Sequence, residues 1–403
     1  MIKPAIVAVG YNRPACMKRL LESVAAAVYP DDGIRLIVSI DECDMSDKVE
    51  EAAKSVEWDH GSLQIIRYKE RQGLRKHILQ CGDLSQQYGA VIILEDDLWV
   101  SPSFYTYTLE AVNKYADNSS VAGIALYSHS WNGYANQPFY PSRNGYDAYF
   151  GQFSITWGQC WTAAQWNRFR TWYRENENRL PDINYNMPVS ISRWGDQSWG
   201  KYFVSYVVEK ELFYVVPYVA MSTNFSEVGQ HNSRVSTSHQ VALLEGIQSG
   251  FRLPEPEHAV KYDVFFERML SQNHTVAGVT GQDIICDFYG SRRIVKDKPY
   301  LLSAAQLPFE KLASFGLQLR PIEANAIYNT PGEDLFLYKL PAGETALEQQ
   351  PMSTAVSDYY LFDFNWRILR REFIVRLCRG IRGRIERIKR KWLKRLEGVG
   401  SVV

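Results

Sequence analysis

Between Ala5 and Tyr127, short apolar runs alternate with amphipathic stretches, and this alternation limits the possible folds more than any other feature of the chain. Ala5–Gly10 (AIVAVG), Ile34–Ile40 (IRLIVSI), Leu63–Arg67, Ala90–Leu94 (AVIIL) and Val121–Tyr127 are long enough for strands and too short for helices. Helical patterns separate them. Asn12 and Pro14 open the first, whose stripe Leu20, Leu21, Val24 and Val28 ends at Pro30. A polar helix follows Asp41, another runs from Gly73 to about Tyr88, and Ser101-Pro102 starts the next. Strands that alternate with helices pair in parallel, and runs apolar throughout belong to strands covered on both faces. The expected fold is α/β: a mixed, mostly parallel sheet flanked by helices.

After Tyr127 the alternation blurs and aromatic residues crowd in, with six of the eleven Trp between Trp157 and Trp199. Helices are predicted over Thr162–Asn176 and from Asp196 to about Val208, with Trp157 and Trp161 at a helix start. Large aromatics usually fill core, and a flat platform for a ligand is the alternative. Residues 280–345 read as short strands with Gly/Pro turns, a small β-rich appendage. With 46% apolar and 22% charged residues, wholesale disorder is excluded. The longest apolar run, Leu212–Met221, is interrupted by Pro217 and is about half of what a membrane-spanning helix needs. The N-terminus reads directly into a strand with no secretory-signal pattern. Six Cys (16, 43, 81, 160, 286, 378) lie scattered without Cys-x-x-Cys or zinc-ligand spacing, which predicts reduced thiols in a cytosolic protein.

The formal charge of zero hides two opposed parts. From Trp366 to Leu396 there are thirteen Lys and Arg against two Asp and Glu, so the remainder is as negative as this tail is positive. Trp366, Leu369, Phe373, Leu377, Ile381, Ile385, Ile388, Trp392 and Leu396 recur every three or four residues, one apolar helical face opposite a basic one. Gly380 and Gly383 are candidate hinges. Such a helix predicts an anionic membrane surface as partner. The alternative is a helix docked on the acidic body of the same chain. No nucleic-acid reader module is recognisable, so nucleic acid is not an expected partner.

Open parallel sheets bind ligands beyond the carboxyl ends of their strands. The residues there are Tyr11-Asn12-Arg13, Asp41, Glu95-Asp96-Asp97 and Ser128-His129, and they are expected to converge on one cleft. Three adjacent carboxylates repel one another unless a cation is present. In extended chain Glu95 and Asp97 share one face and Asp96 takes the other. Hard oxygen ligands of this kind suit Mg²⁺ or Mn²⁺ bound together with substrate phosphates. The alternative is a solvated turn whose acids favour the next helix N-terminus.

Taken in order, several segments resemble the GT-A fold of family 2-like nucleotide-sugar glycosyltransferases. The similarity is specifically to the β-1,2-N-acetylglucosaminyltransferases of protein-linked glycans, in a bacterial polysaccharide-type form. The matching stretches are VAVGYNRP, VSID at 38–41, ILEDDLWVSPSFYTY at 93–107, TWGQCW at 156–161 and RWGDQSWG at 193–200, spread over roughly Ala5–His231. The resemblance implies that Asp97 binds the metal, Mn²⁺ or Mg²⁺, bridging the donor's two phosphates. It sets Asp96 and Glu95 beside the ribose and the sugar, and Arg13, Asp41 and His77 at the nucleotide base. Asp196 takes the position of the catalytic base. Gly195 stands where the family has a further acid, and two residues separate Asp196 from Trp199 where the family has none. The family's flexible loop corresponds to Phe225–Ser233, with His231 as a candidate for reaching metal or phosphates.

The domains implied are a GT-A domain over 1–275 (nucleotide half 1–127, acceptor half 128–275), the appendage over 276–350, and a linker with the basic helix over 351–403. The implied activity is transfer of a hexosyl or N-acetylhexosaminyl group from a UDP-sugar to a glycan or lipid-linked acceptor. It is inverting and metal-dependent, serves surface polysaccharide or lipopolysaccharide assembly, and takes place at the inner face of the cell membrane. Read without the resemblance, Asp196 is a helix N-cap and Arg13 a surface residue of a first helical turn. Two rival functions remain: a non-catalytic nucleotide-sugar- or carbohydrate-binding protein of the same fold, and a membrane-binding scaffold acting through its tail.

Overall fold

Every residue of Ala5–Gly10 is buried, as a strand covered on both faces requires, and this strand (β1) lies inside a ten-stranded sheet. The structure is a computed structural model that describes residues 1–153, 155–179, 187–225, 227, 239–347, 354–361, 370–371, 373–375, 377–378 and 380–381. Residues 1–352 form one compact unit and 353–403 another.

The first helix, α1 (Pro14–Ala25), starts on Pro14, whose missing N–H is harmless in a first turn. It buries Met17, Leu20, Leu21 and Val24, but it stops at Ala25, so Val28 is exposed rather than part of the stripe. Then come β2 (Ile34–Ile40), α2 (Ser46–Lys54), β3 (Gly61–Arg67), α3 (Leu74–Asp83) and β4 (Ala90–Glu95). β1 pairs in parallel with β2 and β4, and β2 with β3. The helix predicted from Gly73 to Tyr88 breaks at Leu84 into α3 and a single turn, Ser85–Tyr88. α4 (Phe104–Tyr115) begins after Ser103, not at Ser101-Pro102.

Beyond α4 the order of strands departs from the order of the chain. β5 (Val121–Ala125) does not pair with β4. After β6 (Ala148–Gly151), β7 (Gln159–Thr162) runs antiparallel between them, with Cys160 opposite Ile92 on one side and Ile124 on the other. Trp161 is therefore a wholly buried strand residue, and Trp157 and Trp161 share no helix start. Thr162 caps α5 (Ala163–Asn176) in a reciprocal capping box with Gln165. Helix α6 (Gly200–Glu209) begins four residues later than predicted, because Gly195–Ser198 closes a turn (Ser198 N to Gly195 O, 2.9 Å); Trp199, not Asp196, is its N-cap. With β8 (Phe213–Pro217), β9 (Lys261–Tyr262) and β10 (Arg268–Met269), the sheet order is β10-β9-β6-β8-β5-β7-β4-β1-β2-β3.

The Trp-rich stretch is mostly core. Trp161, Trp166 and Phe169 pack with Phe203 of α6. Trp161 Nε1 donates to the Tyr214 hydroxyl at 3.2 Å. A second, four-stranded sheet follows, built of β11 (Ile284–Asp287), β12 (Tyr300–Ser303), β13 (Glu310–Phe315) and β14 (Leu335–Lys339) in the order β11-β12-β14-β13. The partly buried ion pair Arg292–Asp263 ties it to the loop between β9 and β10.

Among the described residues no helix is long and apolar enough to cross a membrane. In the second unit, α7 (Thr354–Leu361) is helical, as are the described positions from 370 to 381. Phe373, Leu377 and Ile381 of the predicted apolar stripe are exposed there. Trp366, Leu369, Ile385, Ile388, Trp392 and Leu396 lie outside the described residues.

Candidate active site

The sheet register brings the acidic triplet to its neighbours. Val9 lies opposite Glu95 across β1 and β4, and Gly10 opposite Ile40 across β1 and β2. The three chain ends that follow, Tyr11-Asn12-Arg13, Asp41 and Asp96-Asp97, must therefore emerge side by side. They line one cavity of about 550 Å³ together with Arg71, Gln72, Gly73, His77, Gln197 and Glu227. Six of the seven sequence-derived site residues, Arg13, Asp41, His77, Glu95, Asp96 and Asp97, meet here.

Each has a distinct environment. Arg13 pairs with Asp96 and sits 3.5 Å from Asp97. Burial pushes the Asp96 carboxyl up to about 6, the nearby Arg13 notwithstanding. Glu95 is raised well above the carboxylate range, first by burial and then by the charges of Asp97 and Asp96. The triplet thus holds more negative charge than Arg13 compensates. Asp41 is 4% exposed, and its oxygens are already engaged: Oδ1 accepts from the amides of Glu42 (2.9 Å) and Gln72 (2.6 Å), Oδ2 from that of Gly73 (3.0 Å). Its local task is to pin the 71–73 loop that walls the cavity. Arg71 of that loop lies over the Tyr11 ring at 4.9 Å. Gly73 has φ +76, and a Cβ there would come within 2.9 Å of Gln197 Oε1. His77 is kept neutral by burial, its pKa lowered to about 4, with its Nε2 hydrogen-bonded to Ser39 Oγ at 2.7 Å.

Glu227 reaches the cavity through long-range pairing. Leu98–Val100, just past the triplet, forms a ribbon with Ser222–Asn224, and Phe225 N donates to Asp97 O at 2.8 Å. Glu227 then makes two 2.8 Å bonds to Arg19 of α1, which hold its carboxyl down at about 2. Of the loop predicted at Phe225–Ser233, only Phe225 and Glu227 are among the described residues; His231 lies outside them.

Two expectations differ. Ser128 and His129 do not join this cleft, because β7 intervenes between β4 and β5 and carries the end of β5 one strand away; they line a separate cavity. Asp196 does not line the cleft either. Its side chain is 93% exposed, 3.5 Å from Lys201 Nζ, while its neighbour Gln197 faces the cavity. The segment carrying it is nonetheless shared: Trp194 and Ser198 wall a second, aromatic hollow of about 390 Å³ with Trp131, Tyr134, Trp157 and Phe266. Gln72, Gln197 and Glu227 were not singled out from the sequence: Gln197 and Glu227 lie inside the RWGDQSWG segment and the Phe225–Ser233 loop, but nothing local to either shows which side chain turns into the cavity, and Gln72 sits in a loop placed by Asp41.

The cavity chemistry suits a hard cation. Among the described residues no three His, Cys, Asp or Glu side chains form a metal cage. Mg²⁺ or Mn²⁺ needs only one or two carboxylates when phosphate and water complete its shell. Asp97 and Asp96, with their unbalanced charge, have that donor set.

Residues 5–170 match the family model described as glycosyl transferase family 2, so this stretch carries a domain of that family. No curated protein matches the chain. Among solved structures, S. aureus TarS 1-349 in complex with UDP-GlcNAc is 13% identical, with 58% of this chain and 61% of that chain covered at a TM-score of 0.35. The mannosyltransferase PcManGT from Pyrobaculum calidifontis, in complex with GDP-Man and Mn2+, is 13% identical over 41% of this chain and 46% of that chain, with a TM-score of 0.29. A cytidylyltransferase from Leptospira borgpetersenii is 11% identical over 45% and 71%, with a TM-score of 0.27. The chain spans about three fifths of the TarS 1-349 structures that it matches.

Proposed function

We propose, with the family 2 domain as premise, that this protein is a metal-dependent, inverting glycosyltransferase using a UDP-sugar, with a hexosyl or N-acetylhexosaminyl group as cargo. The observation that carries the proposal is the convergence of Arg13, Asp41, Glu95, Asp96 and Asp97 on one cavity at the carboxyl ends of β1, β2 and β4. Asp41 and the 71–73 loop it pins form the end for the nucleoside, together with Arg13, Tyr11 and the neutral His77. Asp97 holds Mn²⁺ or Mg²⁺, assisted by Asp96, with Glu95 toward the sugar. The ion, when bound, supplies Lewis-acid stabilisation of the departing diphosphate, worth several kcal/mol. Arg13 adds a second positive charge beside the same carboxylates.

Asp196 is the proposed base that takes the acceptor hydroxyl's proton. Its support is position on the chain: its neighbours wall both the donor cavity (Gln197) and the aromatic hollow (Trp194, Ser198), where an acceptor sugar fits. A base so placed contributes about 10² to 10⁴ in rate. The acceptor is a glycan or lipid-linked glycan of surface polysaccharide or lipopolysaccharide assembly, and the tail 366–396 brings the enzyme to the anionic inner face of the membrane. The divisions proposed are 1–275 for catalysis, 276–350 as appendage and 351–403 as tether.

Transfer and donor-hydrolysis assays test this reading. Asp97→Ala should lose metal-dependent donor binding, and Asp196→Ala should bind donor without turning it over. Normal transfer by both variants would refute the assignment.

A further inference from the structure

A hollow of about 820 Å³ lies apart from the donor cavity, between the ten-stranded sheet and residues 320–328 of the C-terminal region. Its lining includes Arg143, Arg268 and Arg320 and no Asp or Glu. Arg268 of β10 is only 8% exposed, and its Nε and Nη1 find no hydrogen-bond partner among the described residues. A buried cation without an anion is costly, and a guanidinium presents a fork shaped for an oxyanion. The nearby acids each have one oxygen engaged away from Arg268, and Glu267 Oε2 is itself without a hydrogen-bond partner among the described residues. Glu323 accepts from Ser142 Oγ at 2.7 Å and the Tyr262 hydroxyl at 2.6 Å, and Glu267 accepts from the amide of Tyr289 at 2.8 Å. Neither is the hydrogen-bond partner of Arg268 Nε or Nη1 among the described residues.

Aromatic rings accompany each arginine. Arg268 lies over Tyr262 at 5.7 Å, Arg143 over Tyr218 at 5.4 Å and Arg320 over Tyr140 at 5.4 Å. Such stacking preorients a guanidinium. Tyr140 and Tyr328 are 40% and 73% exposed at the rim, amphipathic surfaces of the kind on which sugar rings rest.

We propose that this cavity binds an oxyanion-bearing saccharide, a sugar phosphate or a uronate, with Arg268 as the buried anion ligand and Arg143 and Arg320 flanking it. The cavity shares His129 with the aromatic hollow, which the 194–198 segment joins to the donor cavity. If the transferase reading holds, on which this last step rests, the bound saccharide is a charged residue of the acceptor, distant from the reacting hydroxyl.

Calorimetric titration of the full chain tests the site. Glucose 6-phosphate, glucuronate, glucose and inorganic phosphate serve as probes, and UDP with Mn²⁺ is titrated separately. At least one charged sugar should bind ten times or more tighter than glucose, and tighter than inorganic phosphate; which of the two prevails identifies the source of the oxyanion. Arg268→Gln should weaken that binding at least tenfold, and the rim substitution Arg143→Gln several-fold, with UDP affinity unchanged in both. Should the buried substitution prevent folding, the rim variant still decides. Equal affinity for glucose, equal affinity for free phosphate, or indifference to both substitutions would overturn the proposal. Loss of UDP binding by the wild type would instead strike the donor reading and leave this site standing.

Discussion

Replacing Asp41 by Asn probes how the proposed nucleotide end of the cavity is built. The carboxylate, 4% exposed, takes three backbone N–H groups from Glu42, Gln72 and Gly73 at 2.6 to 3.0 Å. Hydrogen bonds to a charged group contribute about 1.5–3 kcal/mol each. The amide of Asn keeps one oxygen for Gln72 and Glu42, but it turns its NH₂ toward the Gly73 amide, so one bond is lost outright and the others lose their charge. Because the 71–73 loop is partly open to water, the expected cost is about 2–4 kcal/mol, a large share of a typical 5–15 kcal/mol stability but compatible with folding. Urea denaturation measures it. The same loop carries Arg71 and Gly73 into the cavity, so UDP affinity should fall about tenfold, equivalent to ~1.4 kcal/mol. A stability loss with UDP affinity untouched would refute the argument that Asp41 acts by holding the cavity wall; unchanged stability would refute the hydrogen-bond reasoning itself.

Other consequences follow from the same geometry. His77, neutral down to about 4 against an ordinary 6.5, binds its proton later in the folded than in the unfolded state, so its contribution to stability is full above pH 6.5 and drains away as pH falls toward 4. By pH 5 that amounts to ~2 kcal/mol, at 1.36 kcal/mol per pH unit; His77→Gln should flatten this part of the pH–stability curve measured by denaturant melts. Gly73→Ala forces a Cβ onto φ +76 and within 2.9 Å of Gln197 Oε1, at a cost of about 1–3 kcal/mol, and pairing it with Gln197→Ala should restore only the steric share in a double-mutant cycle. Trp161→Ala, in the wholly buried strand between β4 and β5, should cost about 3–5 kcal/mol in thermal or urea melts. Deleting residues 366–403 should leave UDP binding intact and abolish sedimentation with anionic vesicles.

Much of the first 127 residues was legible because its signals are local. Runs such as AVIIL declare buried strands, Pro14 declares a helix start, and a parallel sheet sends residues 11–13, 41 and 95–97 to one edge whatever the loops do. What stayed hidden depends on distant partners. Gln159–Thr162 reads as the approach to a helix, and only its pairing with Ile92 and Ile124 makes it the strand that separates β4 from β5. That one insertion sends Ser128 and His129 to a different cavity from the one the alternation implied. Glu227 arrives at the cleft through a ribbon closed by residues more than a hundred positions away in the chain, and Arg143, Arg268 and Arg320 share no motif. Asp196 was read as a helix cap or a base from its setting beside Trp199; the turn at Gly195–Ser198 removes the first reading and leaves the second to kinetics.

Binding of UDP in the presence of Mn²⁺ and of EDTA, titrated on the wild type and on Asp97→Asn, tests the donor site most directly. The wild type should bind UDP tightly with Mn²⁺ and at least tenfold more weakly without it, and the variant should bind equally weakly in both. Metal-independent UDP binding by the wild type, or undiminished metal dependence in the variant, would contradict the assignment of the triplet as the cation's seat.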